Sequence, residues 1–248
     1  MLLTRYLLMM TLSVLFATVS DAQPIASDNF ESATVAEGAI SSGEGFAGSW
    51  KLMAEGKTDL TVVEKSLTYE AGDIKVDGGS RALQYVASED KIRVLATREL
   101  PVQTDTTYLS FLVQPSNSQD GNDFFQFGFD AGKSSSPNAS VVMQGKFYPR
   151  SNTALGGAPS IGSVKQDQTY LVVLKVEHAE NHANYNQVTV FVNPTSLDES
   201  ANKPAVQKRN SGVSEIKRLL IRKAFTEKSD TFTIDAIRIG KSFESVLK

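Results

Sequence analysis

The sequence contains no cysteine, and this absence sets the first limit on how the chain is stabilised. Without cysteine, disulfide bonds and a cysteine nucleophile are excluded, so the fold must be held by its core or by a bound ion. Histidine is also scarce, with two in 248 residues. Catalysis by a histidine base therefore has few residues on which to draw.

The chain also lacks a strong excess of either charge. Lysine and arginine number 25 against 28 aspartate and glutamate, which gives a net charge of −3 and a pI near 5.5. No broad cationic surface is expected, and this argues against nucleic acids and membrane surfaces as partners. Neutral ligands remain open.

One long hydrophobic run is present, at the N-terminus. Residues 1–5 include a positive charge and residues 6–19 are almost wholly apolar. A spanning helix needs about 20 apolar residues, and no later segment is a better candidate. Ser20 and Ala22 occupy the positions that a signal peptidase inspects. A signal peptide over residues 1–22 is predicted, followed by a mature chain that is secreted, periplasmic or at the cell surface. A retained N-terminal anchor and a helix packed into the domain are the alternatives.

Apolar and polar residues alternate along the rest of the chain, and helical spacing is not sustained over three turns. The clearest strands are residues 169–177 and 187–193, joined by a polar loop and ended by a proline. About a dozen strands are predicted, which suits two antiparallel sheets packed face to face better than one open sheet. Because no linker divides them, we predict an all-β sandwich with a single domain over residues 23–248.

The last predicted strand, residues 230–239, changes its buried face between Ile234 and Ile237. A β-bulge near Asp235 restores the phase. The bulge turns this carboxylate out of the regular pleat, where it could cap amides or bind a cation. Asp235 is therefore a candidate metal ligand, with calcium as the candidate ion and residues 43–48 as one source of carbonyl ligands. A plain exposed carboxylate on a bulge is the alternative.

Several strand and turn motifs extend over nearly the whole mature chain. They are SDNFES (27–32), GEGFAGSW (43–50), YLSFLV (108–113), LVVLK (171–175), VTVFVNP (188–194) and FTIDAIRIG (232–240). Together they resemble the LamG-like branch of the concanavalin A-like lectin/glucanase superfamily, found in exported bacterial proteins. The resemblance implies a jelly roll whose first and last strands are neighbours, which would bring Asp28 and Glu31 towards Asp235. Strand patterns specify a fold better than an activity.

The catalytic residue sets of this superfamily are missing. Glucanases of this fold use two carboxylates in a Glu-x-Asp-x-Glu strand, and no such triplet occurs. Related lyases use a Gln-x-His strand, but both histidines, His178 and His182, fall in one predicted loop. No Gly-x-Ser-x-Gly elbow is present. The sequence therefore favours a protein without a catalytic site, with an unconventional glycan-cleaving enzyme as the weaker alternative.

Sugar binding in this fold typically uses an aromatic ring together with polar residues from loops. Trp50, the only tryptophan, follows a glycine-rich stretch and is either a stacking platform or a core residue. Tyr148, Arg150 and Asn152 form a second candidate platform. The leading hypothesis is a secreted, non-catalytic module that binds an extracellular glycan. A structural or adhesive protein that binds surface proteins is the alternative.

Cleavage after Ala22 predicts that the exported protein begins at Gln23. N-terminal sequencing and intact mass measurement of the exported protein from its native host test this directly. A chain that retains residues 1–22 would contradict the prediction and favour an N-terminal anchor.

Overall fold

The computed structural model describes residues 23–36, 39–52, 58–87, 92–116, 124–132, 136–152, 157–227 and 230–248. The predicted signal peptide, residues 1–22, lies outside these ranges. The described backbone forms eighteen β-strands and three 3₁₀ helices. The strands are β1 (Ala26–Asp28), β2 (Thr34–Ala36), β3 (Ala39–Ser41), β4 (Trp50–Leu52), β5 (Thr58–Val63), β6 (Thr68–Ala71), β7 (Ile74–Asp77), β8 (Ala82–Ala87), β9 (Ile92–Gln103), β10 (Thr107–Ser116), β11 (Phe124–Asp130), β12 (Ala139–Gln144), β13 (Lys146–Ser151), β14 (Tyr170–Glu177), β15 (Gln187–Val192), β16 (Ala205–Lys208), β17 (Ile216–Thr226) and β18 (Thr231–Gly240). The 3₁₀ helices are Ala179–Asn181, Glu199–Ala201 and Glu244–Val246.

Sixteen of these strands form two antiparallel sheets of eight strands each. Sheet A has the order β16-β15-β14-β10-β18-β8-β5, and β1 also pairs with β18. Sheet B has the order β13-β12-β11-β17-β9-β4-β3-β2, and β6 and β7 form a separate ribbon. The predicted all-β jelly-roll sandwich of two antiparallel sheets is confirmed, with more strands than the predicted dozen.

The two sheets meet at an apolar core whose members run from Ala26 to Ile239. Alternation along β11 points three phenylalanines inward, and all three are fully buried. Phe127 lies 4.7 Å from Phe111 of sheet A, and Phe125 stacks on Phe232 of sheet A at 4.8 Å between ring centroids. These aromatic pairs add packing energy to the area that the core buries.

The outer face of sheet A is covered by other parts of the same chain. A second apolar cluster forms there between the strands of sheet A, the β6–β7 ribbon and the C-terminal 3₁₀ helix. Its members include Leu67, Ile74, Val76, Leu112, Leu171, Val173, Phe243 and Val246. The outer face of sheet B is different, because polar and charged side chains extend across it, as described below.

A β-bulge interrupts the pairing of β18 with β10. Ser110 pairs with Arg238 and Leu112 pairs with Asp235, so β18 has one more residue than β10 between these pairs. Ala236 adopts a φ of 47° at this point. The predicted bulge is confirmed, and so is the predicted contact between the first and last strands, since β1 pairs with β18.

A buried ion pair joins β1 to sheet B. Asp28 Oδ2 accepts hydrogen bonds from Arg98 Nη1 and from Ser42 Oγ, the latter at 2.6 Å. Arg98 Nε donates to the Gly48 carbonyl at 3.1 Å, and the guanidinium lies 3.6 Å from the centroid of the Phe46 ring. The side chains of Arg98 and Asp28 are 3% and 0% exposed. Each charge is thus surrounded by partners that replace its hydration.

Replacing Arg98 with methionine is expected to lower the free energy of unfolding by about 3–5 kcal/mol, because the Asp28 carboxylate stays buried without its counter-charge. Urea unfolding measures the difference. Lys75→Met is the matched control, since it breaks an ion pair with Glu70 whose side chains are 74% and 70% exposed. The control should change the free energy of unfolding by less than about 1 kcal/mol. Equal stability of the two variants would contradict the role assigned to the buried pair.

Candidate functional site

Three of the predicted ligand-binding residues lie on or next to β13. Tyr148 and Arg150 point to the outer face of sheet B, because side chains alternate along a strand and Phe147 lies in the core. Tyr148 is half-buried and Arg150 is 9% exposed. Asn152 follows the strand, is exposed, and donates its backbone N–H to the Asn138 carbonyl at 2.7 Å. The structure therefore brings Tyr148 and Arg150 onto one face and places Asn152 at the end of their strand.

Strand pairing adds residues that were not predicted from the sequence. Val142 pairs with Tyr148 on one side and with Gln126 on the other, and Gln126 pairs in turn with Arg222 of β17. Ser140 pairs with Arg150 in the next row. We call Gln126, Ser140, Tyr148, Arg150 and Arg222 the outer-face cluster. The one sequence signal for it was a glutamine at the outward position between phenylalanines.

Gln126 carries an unsatisfied acceptor in this cluster. Its side chain is 0% exposed, and its Nε2 donates to Ser140 Oγ at 2.7 Å. Its Oε1 is buried and has no hydrogen-bond partner among the residues that the structure describes. A buried acceptor without a donor destabilises a protein by about 1–3 kcal/mol. Because the side chain is fully buried, a ligand on this face does not reach this acceptor.

The two arginines of the cluster influence each other. Arg222 Nη1 donates to Ser136 Oγ at 3.1 Å, and the Arg222 guanidinium lies 5.1 Å from the centroid of the Phe124 ring. Burial lowers the pKa of Arg150, and repulsion by the positive charge of Arg222 lowers this pKa further. Two positive charges are therefore held on the same face, close enough to interact.

Gly128 shapes the floor of the same face. A Cβ atom at this position would overlap the Ala139 carbonyl oxygen, so the close approach of β12 requires glycine. Gly128 is two residues after Gln126, where a Gln-x-His strand would place its histidine. The chain's own histidines, His178 and His182, lie at the loop between β14 and β15. The described part of this face thus has no histidine base.

Trp50 is a core residue. It lies in β4 on the inner face of sheet B, is 0% exposed, and has its ring centroid 6.2 Å from that of Phe127. No face of the ring is accessible for a sugar to stack on. The expectation that Trp50 is a stacking platform is therefore corrected, and its alternative, a core position, is the one that the structure supports.

Asp235 lies at the bulge and is completely buried. Its Oδ2 accepts the Leu67 backbone N–H at 3.1 Å, and its Oδ1 accepts the Ala236 N–H at 2.8 Å. Burial raises the pKa of Asp235 from 3.8 to about 8; the two N–H donors lower this pKa, whereas the negative charges of Glu31 and Asp28 raise it. Asp235 thus supports the strand junction through backbone amides.

The calcium site predicted at Asp235 needs further oxygen ligands around this carboxylate. No group of three Asp, Glu or His side chains that could hold a metal occurs among the described residues. In the proposed carbonyl source, residues 43–48, the Glu44 carbonyl accepts the Ser27 N–H at 3.0 Å instead. Gly78 is the glycine that approaches Asp235, since a Cβ there would overlap the carboxylate. A calcium ion bound by Asp235 stays a prediction.

Comparison with solved structures identifies the architecture. A sialidase matches with a TM-score of 0.47 and 14% identity over 71% of this chain, which spans only 16% of the sialidase. The carbohydrate recognition domain of Emp47p matches with a TM-score of 0.48 and 10% identity over 90% of this chain and 98% of that domain. The fold is a jelly-roll sandwich of two antiparallel sheets.

An enzyme also shares this architecture. The alginate lyase vAL-1 from Chlorella virus matches with a TM-score of 0.44 and 12% identity over 74% of this chain and 92% of the lyase. The similar structures thus include both a carbohydrate recognition domain and an enzyme, and likeness at this level assigns neither role to this chain.

No protein-family model matches the chain, so the LamG-like assignment stays a prediction. No curated protein matches it either. Among the residues that the structure describes, no helix is both long and apolar enough to cross a membrane.

The raised pKa of Asp235 predicts that wild-type stability falls as the pH rises from about 4 to about 8. In this window the unfolded chain has already lost the proton that the folded chain still holds, so the contribution declines by up to about 1.4 kcal/mol per pH unit. Asp235→Asn should remove this slope. Chemical unfolding across the pH range measures it, with Asp105→Asn as a control whose side chain is 81% exposed.

Parallel slopes for wild type and Asp235→Asn would contradict the assignment. Repeating the series in calcium and in chelator tests the cation separately. Loss of stability in chelator by the wild type, but not by Asp235→Asn, would show that a cation is bound at the junction.

Proposed function

We propose that this chain is an exported, non-catalytic carbohydrate-binding module whose sugar is held by the outer-face cluster. The observation that carries the proposal is the strand register that places Tyr148, Arg150 and Arg222 together on one face of sheet B. Residues 23–248 constitute the binding domain, and residues 1–22 direct its export.

The cluster supplies the groups that sugar recognition needs. The guanidinium groups of Arg150 and Arg222 donate hydrogen bonds to sugar oxygens. The half-buried ring of Tyr148 offers an apolar surface together with a polar hydroxyl. A few fixed polar groups beside an aromatic ring are typical of a site that orients a small ligand.

The four strands beneath this face lack the residues that the usual catalytic mechanisms need. Glycoside hydrolysis by the usual mechanism needs two carboxyl groups on either side of the scissile bond. The sequences of β11, β12, β13 and β17 contain one acid, Asp130, and it is ion-paired with Arg218 at 2.6 Å. The same four strand sequences contain no histidine, so none of them has a Gln-x-His pair. An assay for polysaccharide cleavage tests the enzymatic alternative.

Two changes in the cluster are expected to weaken glycan binding. Arg222→Ala removes a guanidinium donor and Tyr148→Ala removes the ring, and each should raise the Kd about five- to tenfold, the equivalent of one lost hydrogen bond or ring contact. Binding to glycans selected on an array is measured by calorimetry. Lys203→Ala, an exposed position next to the 3₁₀ helix Glu199–Ala201, is the control.

A glycan array without any signal for the folded wild type would contradict the proposal and leave the adhesive alternative, in which the partner is a surface protein. Binding that both cluster variants retain in full would keep the carbohydrate and move the site elsewhere on the chain.

A further inference from the structure

The strands under the outer-face cluster are unusually basic. The sequences of β11, β12, β13 and β17 contain six basic residues and one acidic residue. They are Lys146, Arg150, Lys217, Arg218, Arg222 and Lys223, against Asp130. The whole chain, by contrast, has a net charge of −3. The positive charge is therefore concentrated in one part of the fold.

Strand register determines which of these charges face outward. Lys146 and Arg150 flank Tyr148 on the outward side of β13. Arg222 is outward on β17, because it pairs with Gln126. Lys223 is fully buried instead, and its Nζ lies above the aromatic rings of Tyr85 and Phe232. Arg218 is balanced by Asp130.

The outward charges stand on both sides of the polar floor. Strands β13 and β17 are separated by β12 and β11, so their backbones lie three strand spacings apart, about 14 Å. Gln126 and Ser140 occupy the two strands between them. A guanidinium group offers a planar fork of donors that matches carboxylate or sulfate oxygens, whereas neutral sugar hydroxyls need no positive charge.

We propose that the ligand of the outer-face cluster is an acidic glycan, whose carboxylate or sulfate groups are bound by Arg150 and Arg222. This inference rests on the proposed function, because it specifies the class of sugar for the same site. The exposed ammonium group of Lys146 adds attraction at the edge of the sheet.

Matched pairs of glycans test the charge requirement. Oligogalacturonate is compared with its methyl ester, and dextran sulfate with dextran, by calorimetry on the chain from residue 23 onwards. At least one acidic member should bind about tenfold or more tightly than its neutral counterpart, and sodium chloride should weaken that binding only. The pair that shows the preference identifies carboxylate or sulfate as the bound group.

Variants connect the preference to the cluster. Arg222→Gln and Lys146→Gln should each weaken binding of the preferred acidic glycan, by about tenfold for Arg222 and less for Lys146, and weaken binding of the neutral member by a smaller factor. Arg222→Lys keeps the charge and loses the fork, so its effect should be intermediate. Lys203→Gln controls for net charge, because Lys203 is exposed and lies outside these four strands. Thermal melting confirms that each variant is folded.

Equal binding of the acidic and neutral members would overturn this inference and leave carbohydrate binding in place. No binding of either acidic glycan would also overturn it, and a silent glycan array would then overturn the proposed function as well. Equal losses in Arg222→Gln and Lys203→Gln would show that net charge, and not the cluster, attracts the ligand.

Discussion

The buried ion pair between Asp28 and Arg98 is the interaction on which the junction between β1 and sheet B depends. Asp28 ends the strand that pairs with β18 in sheet A, whereas Arg98 lies in β9 of sheet B. Arg98 also binds the carbonyls of Ser42 and Gly48, so it fixes both ends of the glycine-rich segment before β4. That segment leads directly into Trp50, which enters the core. Arg98 thus anchors the segment that immediately precedes Trp50.

A second set of polar contacts extends this junction to the other side of β1. Glu31 accepts hydrogen bonds from the backbone N–H groups of Ser80 and Arg81, and these bonds lower its pKa. Asp235 accepts the Leu67 backbone N–H, and Gly78 lies against the same carboxylate. The end of the first strand, the bulge of the last strand and the turn before β8 therefore form one unit. Burial is the main cause of the raised pKa of Asp235, and the nearby negative charges of Glu31 and Asp28 raise this pKa further.

Long strands with an alternating pattern were predictable, because a period of two is evident over six to eight residues. Strands β14 and β15 are of this kind, and the change of face after Ile234 was enough to locate the bulge. The strands β2, β3, β4, β7 and β16 have three or four residues each, too few to establish a period. Strand β13 contains Pro149, which is tolerated because β13 is at the edge of sheet B.

Only part of the candidate site could be predicted, because a sequence pattern reveals neighbours along the chain and not neighbours across strands. Tyr148 and Arg150 are close in sequence, whereas Gln126 and Arg222 reach them only through the register of β11 with β12 and β17, which no local pattern specifies. The same register separates net charge from local charge. A net charge of −3 argues against a broad cationic surface, but it does not prevent four paired strands from presenting a narrow one. The ligand class is therefore better inferred from the charges that pairing brings together than from the charge of the whole chain.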